Sequence, residues 1–385
     1  MRKCLEIVCL FLLSYFITEA KQVRIGLFTS INSVSSTVIV AQGKYRLFAD
    51  DKPSANLTIG DYLLMTVMSD SIELVRNGVI LKKCKHAKIA SMTSGGIFRL
   101  KSNQPVTTAL PYQDNLEIRI TNNYLGIINL LDLEKYVASV VESESGDNSN
   151  PEFLKVQAIL VRTYALNDLR RHSSEGFSLC DAVHCQVYKC RNRFNPMVER
   201  AVNETRNKVL CDENGRMVMS VYHSNCGGQT LPSGDLWSKD VPYLVSVRDT
   251  FCTAGQHATW NRMLSKKEWK RYLKKNMNLR LDTLSDEALF CFDQPERMRE
   301  ICIAENPISL KKIRNDWQMK STFFSIDERG DSLIFSGRGF GHGVGLCQEG
   351  AMQMTANGYN YKQILQFYFN KIKILDAASA QTSRN

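Results

Sequence analysis

The sequence predicts an α+β protein with a β-rich N-terminal part and a mixed helical and strand part that together form a cleft. Three observations carry this. From Val23 to about Ile128 the chain is a succession of short or alternating apolar runs broken by turn residues. After Leu131 the texture changes, and a strong helix start appears at Asn150. The last third returns to strands around a glycine-rich loop. The expected organisation is an export segment over 1–20, a β-rich subdomain over 21–130, a helical and mixed subdomain over 131–376 and a polar tail over 377–385.

Residues 1–20 carry Arg2 and Lys3 ahead of an apolar stretch from Leu5 to Ile17. This reads as a signal for export to the periplasm or cell envelope, cut after Ala20, with an uncleaved membrane anchor as the alternative. The strand candidates follow as VRIGLF, STVIVAQ, YLLMTVM, IELV, LEIRIT and YLGIINL. The run up to Val141 reads as strand-like, and Glu142-Ser143-Glu144 reads as a loop between it and the next helix. That helix has Asn150 as N-cap and Pro151 at its first position, and is expected to reach about Arg171. Leu154, Ala158, Val161, Ala165 and Leu169 recur every three or four residues and define its buried stripe. Lys155 and Arg162, about two turns apart, share a second face roughly a quarter-turn away. Periodicity alone makes that face a solvated edge.

Further on, Ser265 and Glu268 form a capping box ahead of Trp269 and Leu273, on a helix bearing the densest basic run of the chain. STFFSID and DSLIFSG read as a hairpin turning at Glu328-Arg329-Gly330-Asp331. Gly337 to Gly345 hold five glycines, a loop expected to let the main chain approach a bulky ligand with His342 among them. It matches neither phosphate-loop nor dinucleotide spacing. One helix then ends at Asn357-Gly358, and another starts at Asn360 with Gln363 completing a capping box.

Of the 385 residues, 44% are apolar and 23% charged, which excludes collagen, coiled coil and wholesale disorder. No apolar run reaches the roughly 18 residues of a spanning helix, which excludes a multi-pass membrane protein. The formal charge of +10 suits an anionic partner such as a cell wall, a membrane surface or nucleic acid, and equally suits plain solubility. Twelve cysteines include Cys4 and Cys9 in the export segment, and the remaining ten are many for an exported chain unless some pair or bind metal. Cys180, Cys185 and Cys190 cluster tightly beside His184, with His172 upstream. Two readings stand: a zinc site of His172, Cys180, His184 and Cys185, or disulfides to Cys211, Cys226 or Cys252.

Three places combine loop character with reactive side chains: Glu142-Ser143-Glu144, His223-Ser224-Asn225-Cys226-Gly227-Gly228 and the loop at His342. A carboxyl beside an apolar wall can be held protonated at neutral pH and act as a proton donor. His223 and Cys226 have the composition of a nucleophilic pair or of half a zinc site. Nothing in their spacing sets the thiol against the imidazole.

Five tracts, taken together, resemble the sporulation stage II protein D family. They are Tyr136 to Glu144; Leu154 to Ala158 with Val161 to Leu166; Cys180 to Tyr188; Tyr222 to Gly228; and the glycine-rich loop with Gln348, Gly350 and Ala351. The resemblance implies a peptidoglycan lytic transglycosylase involved in cell-wall remodelling and septation, or alternatively a non-catalytic glycan-binding enhancer of an amidase. It places the catalytic acid on Glu144 and basic positions of the glycan cleft on Lys155 and Arg162. Further signature positions fall on His223, Ser224, Cys226, Gly339, Gly341, His342, Gly343 and Gln348. It implies glycan strands stripped of stem peptides as substrate, a cell-wall amidase as partner, no nucleic acid and no required cofactor, and it adds weight to a structural zinc near Cys180, His184 and Cys185. The chain departs from the pattern at Phe340, Cys347 and Glu349, and in lacking Met-Pro after the acid. The stretch from Asp282 to Glu305, with Cys291 and Cys302, has no clear counterpart.

Overall fold

The computed structural model describes residues 21–146, 149–189, 194–237, 239–277, 281, 284–303 and 306–383. The expected export segment over 1–20, and Cys190, lie outside the described residues. Among the described residues no helix is long and apolar enough to cross a membrane.

The alternating runs up to Asp132 become twelve strands: β1 (Gln22–Leu27), β2 (Ser35–Gln42), β3 (Tyr45–Ala49), β4 (Lys52–Leu57), β5 (Tyr62–Met68), β6 (Ser71–Arg76), β7 (Val79–Cys84), β8 (His86–Ser91), β9 (Ile97–Gln104), β10 (Leu110–Gln113), β11 (Asn115–Thr121) and β12 (Tyr124–Asp132). They make two sheets, one in the order β1-β12-β11-β8-β3-β4 and one in the order β10-β9-β2-β5-β6-β7. Period-two alternation turns Val38, Val40, Tyr45 and Leu47 inward from both sheets into one core. A short strand, β13 (Leu179–Cys180), extends the first sheet by running parallel to β1.

Directly off β12, Asp132 caps helix α1 (Leu133–Ser145) by accepting from the Glu134 and Lys135 N–H groups at 2.9 and 3.4 Å. The strand-like reading of this run is therefore corrected. Leu133, Tyr136, Val137, Val140 and Val141 fall at helical spacing and all are buried, so Glu142 and Glu144 sit in the last turn of a helix.

Helix α2 (Pro151–Asn167) starts at its expected cap, with the Asn150 side chain accepting from Glu152 N–H, and stops four residues short of Arg171. Leu154, Ala158, Val161 and Ala165 join the core of the two sheets. Phe153, Val156, Ile159 and Leu160, on another face, join a second core. Such a helix, apolar nearly all round, belongs at the centre of a fold. Helix α3 (Pro196–Glu204) turns Val198, Ala201 and Val202 into the first core; the second is built on β14 (Lys208–Asp212), β15 (Tyr222–His223), α4 (Ser233–Leu236) and the C-terminal helices described below.

A third core is built on β16 (Thr259–Ser265), α5 (Lys266–Met277), α6 (Asp286–Phe290), β17 (Glu300–Ile303), β18 (Asn306–Ser309), α7 (Leu310–Asp316), β19 (Phe324–Arg329) and β20 (Ser332–Arg338). The Ser265 and Glu268 capping box forms as expected, and Trp269 and Leu273 are fully buried. Within the stretch from Asp282 to Glu305, Leu289, Phe290, Ile301 and Ile303 fill this core. β21 (Leu346–Cys347) pairs parallel with β15 and leads into α8 (Gln348–Ala356). Helix α9 (Tyr361–Tyr368) carries the Asn360 and Gln363 capping box, and β22 (Ile372–Asp376) returns to pair with β14.

Candidate functional site

The two acids at the end of α1 diverge. Glu142 accepts from the Asn195 N–H at 3.2 Å, at the start of α3. Glu144 is half-buried and takes a hydrogen bond from the Val187 N–H, within electrostatic range of the Lys189 charge and of the neutral Tyr222 phenol. Burial pushes the Glu144 carboxyl above its ordinary value, and the Val187 and Lys189 contributions, which pull it down, do not offset this. The cation whose field reaches Glu144 is Lys189, a residue the sequence reading did not single out. The Lys189 N–H also meets the Ser143 hydroxyl at 3.4 Å, which fixes this loop against the end of α1.

Beside this loop lies a cavity of about 360 Å³ lined by Phe28, Ser30, Ile31, Thr107, Thr108, Leu110, Tyr112, Asp181, Ala182, Tyr188 and Lys189. Its walls are the β1–β2 turn, the approach to β10, and the segment that carries Val187. Asp181 ties two of these together by accepting from the Phe28 N–H at 2.6 Å and the Thr29 hydroxyl at 2.8 Å.

Arg162 faces the interior and not solvent. Its side chain is fully buried, and its Nε and Nη2 donate to the Glu134 carboxylate at 2.9 and 2.6 Å. Its Nη1 donates to the Lys208 carbonyl at 3.0 Å. It is the buried tie between α1, α2 and the start of β14, and the solvated-edge reading fails because α2 has no solvated edge there. Lys155 bridges Glu152 and Glu204, each at 2.8 Å, and so fastens α2 to α3.

His223 and His342 lie together, ring centroids 5.3 Å apart. His342 Nε2–H donates to the Tyr222 carbonyl at 3.0 Å, while its Nδ1 accepts from the Val344 N–H at 3.1 Å. His223 Nδ1–H donates to the Val344 carbonyl at 3.2 Å, and its buried Nε2 has no protein partner among the described residues. Burial holds His223 well below the ordinary imidazole range and lowers His342 to about 4, so both rings are neutral near pH 7. The Tyr222 carbonyl thus links this pair to a residue whose phenol lies within electrostatic range of Glu144. Gln348 opens α8, buried, with its Nε2 also unpartnered among the described residues.

The glycine-rich loop packs closely against the protein's own backbone. Asn225 and Phe340 exchange two backbone hydrogen bonds, at 3.1 and 2.8 Å, and Ser224 offers its carbonyl to the Glu349 N–H at 3.0 Å. A Cβ on Gly339 would stand 2.6 Å from the Asn225 carbonyl oxygen at a φ of +78°, and one on Gly341 would stand 2.7 Å from the His223 Cβ. The Gly343 carbonyl accepts from the Leu231 N–H at 2.7 Å. Gly339→Ala is therefore expected to destabilise the chain by about 1–3 kcal/mol. Chemical denaturation measures this; a variant as stable as wild type would remove the close-packing argument. His223 and Cys226 do not form a nucleophilic pair, because the Cys226 thiol faces Asp249 and Cys252 instead.

The first metal candidate assembles as the spacing suggested. Ligand atoms of His172, Cys180, His184 and Cys185 lie within 4.8 Å of one another. Cys185 Sγ is 3.4 Å from His172 Nε2, and Cys180 Sγ is 3.7 Å from His184 Nδ1. Glu175 meets His172 Nδ1 at 2.5 Å, which aims Nε2 at the thiols in the way second-sphere carboxylates do at zinc sites. Two thiols and two imidazoles suit a closed tetrahedral zinc site. The alternative disulfides to Cys211, Cys226 or Cys252 are not formed: Cys226 and Cys252 are gathered in a separate buried cluster, and all nine described cysteines, Cys211 included, are free.

Residues 121–211, which include Glu144, Arg162 and this cluster, match the family model described as Stage II sporulation protein. The chain is 27% identical over 318 residues to an uncharacterized protein of Brachyspira hyodysenteriae, a match covering 82% of this chain and 84% of that protein. To the stage II sporulation protein D of Bacillus subtilis it is 26% identical over 261 residues, 64% of this chain and 75% of that protein. To the amidase enhancer of Bacillus subtilis it is 25% identical over 284 residues, 60% of this chain but only 39% of that protein.

Proposed function

We propose that this chain, a member of the sporulation stage II protein D family, is a lytic transglycosylase. It cleaves the β-1,4 bond between N-acetylmuramic acid and N-acetylglucosamine in glycan strands stripped of their stem peptides. The observation that carries this reading is Glu144: a half-buried carboxyl whose burial outweighs the Val187 N–H and the Lys189 charge and favours its protonated form.

Protonated Glu144 gives its hydrogen to the glycosidic oxygen as the bond to the muramyl C1 breaks, and positive charge develops on that ring. The C6 hydroxyl of the same ring then bonds to C1 and returns its proton to the Glu144 carboxylate. The product is a 1,6-anhydro ring, no water is consumed, and the acid is regenerated. One carboxyl serves both steps, so no second carboxylate at hydrolase spacing is needed. His223 and His342 are neutral and supply shape and hydrogen bonding, not protons. The cavity beside Lys189 is the natural seat for the sugars flanking the broken bond.

Incubation with denuded glycan strands tests the proposal: sugars ending in 1,6-anhydro rings are expected by mass spectrometry. The relative named as an amidase enhancer favours a second reading, in which the chain binds glycan and stimulates an amidase. Strands that are bound yet remain intact would establish that reading in place of the first. Either role requires an exported chain, for which residues 1–20 are the proposed signal or anchor.

Zinc at His172, Cys180, His184 and Cys185 would have protein ligands at every position and would cross-link β13 to the segment before it, with no part in the chemistry. Replacing both Cys180 and Cys185 by serine is expected to lose about one zinc per chain and to lower the unfolding temperature. Elemental analysis and calorimetry read the two effects. Unchanged metal content would refute this assignment.

A further inference from the structure

A second set of soft donors lies in the second core, built from separate segments of the chain. Cys226 follows β15, Asp249 and Cys252 belong to the loop before β16, and Cys347 is the N-cap of α8. All four are buried, and one ligand atom from each lies within 4.8 Å of the others. Cys226 Sγ is 3.4 Å from Cys252 Sγ and 3.3 Å from Asp249 Oδ2. A tetrahedral zinc with Zn–S bonds of about 2.3 Å separates its sulfurs by about 3.8 Å, so shifts of a few tenths of an ångström would seat the ion.

The surroundings are those of thiolates. The Cys226 and Gly350 N–H groups point at Cys347 Sγ at 3.2 and 3.4 Å, and the Gly228 N–H points at Cys252 Sγ at 3.3 Å. Aimed backbone donors contribute most when the acceptor carries a negative charge. Asp249 is oriented in turn: its Oδ1 accepts from the Phe251 N–H at 2.9 Å and its Oδ2 from the Tyr368 hydroxyl at 2.8 Å. The Arg297 guanidinium lies close by, donates to the Cys226 carbonyl at 2.7 Å, and forms no ion pair with a carboxylate among the described residues. Three thiolates, a carboxylate and a divalent cation together carry a net negative charge, which would be its counter-charge.

We propose that Cys226, Asp249, Cys252 and Cys347 form a second metal site, for a divalent thiophilic cation such as zinc. Protein ligands fill every position, so the ion is structural. It fastens the turn after His223 to the start of α8, where Gln348 begins, and so holds the loop of His223 in register with the glycine-rich loop. A disulfide between Cys226 and Cys252 would instead leave the third thiol and the Asp249 carboxyl buried without a shared partner.

The test uses the full chain purified under reductant, with the first cluster removed by Cys180→Ser and Cys185→Ser. About one zinc per chain is expected to remain by elemental analysis. Cobalt(II) exchanged into that variant is expected to give an intense thiolate-to-metal charge-transfer band. Adding Cys347→Ser should abolish both signals; if that variant fails to fold, the cobalt spectrum of its parent decides alone. A parent that holds no metal and gives no charge-transfer band overturns the proposal. So does mass analysis after alkylation without reduction that finds Cys226 and Cys252 joined. None of these readouts depends on glycan cleavage.

Discussion

Arg162→Ala will destabilise the chain by about 3–5 kcal/mol, the usual cost of stripping one partner from a buried ion pair. The guanidinium is fully buried, and two of its nitrogens meet Glu134 at 2.9 and 2.6 Å. Without it the Glu134 carboxylate, itself buried, loses its counter-charge, and the Lys208 carbonyl loses a donor. Urea denaturation followed by circular dichroism gives the number. Arg162→Met combined with Glu134→Gln should recover part of the loss, because no lone charge then stays inside. A single variant within about 1 kcal/mol of wild type, but defective in glycan binding, would return Arg162 to the cleft that the sequence resemblance implied.

Glu144→Gln is expected to lower strand cleavage by about 10²–10⁴-fold while leaving strand binding in place, since the amide keeps the shape but cannot donate the proton. The wild-type rate should fall as pH rises through the elevated value of this carboxyl, as the acid form is lost. Stability follows the same sign. Burial raises the group above its ordinary 4.5, so the native chain binds this proton more tightly than the unfolded chain. Its contribution is full at low pH and is lost as pH climbs through the native value. The glutamine variant should therefore decline less in stability between acid and neutral pH. Undiminished formation of anhydro-ended sugars by Glu144→Gln would refute the assignment of the acid.

What could be read in advance follows from how local each signal is. The strands of the first half and the start of α2 announce themselves through period-two alternation and the Asn150-Pro151 cap, which depend on neighbours in sequence. Helix α1 looks like a strand in sequence because its buried positions are rich in valine, a residue favoured in strands, although Leu133, Tyr136, Val137, Val140 and Val141 keep helical spacing. The burial of Arg162 is not legible locally, because its partner, Glu134, arrives from another helix and α2 buries more than one face. The first metal cluster was legible, its four donors falling within 172–185. The second was not, since its donors span 226–347 and meet only when the second core closes. Cys347, noted as a departure from the family pattern, supplies one of its thiols. Lys189 and Tyr222 carry no motif that tells of their nearness to Glu144; only the folded loop supplies it.

Glu134 and Glu144 ride the same rod, ten residues and about 15 Å of helical rise apart. One end is pinned by Arg162 and the other presents the proposed acid, so the helix works as a lever arm. A swing of only about four degrees at the pinned end moves the tip by about 1 Å, a displacement that can cost on the order of 10²-fold in rate. Damage deep in the interior would thus surface as slow turnover, with every reacting group still present.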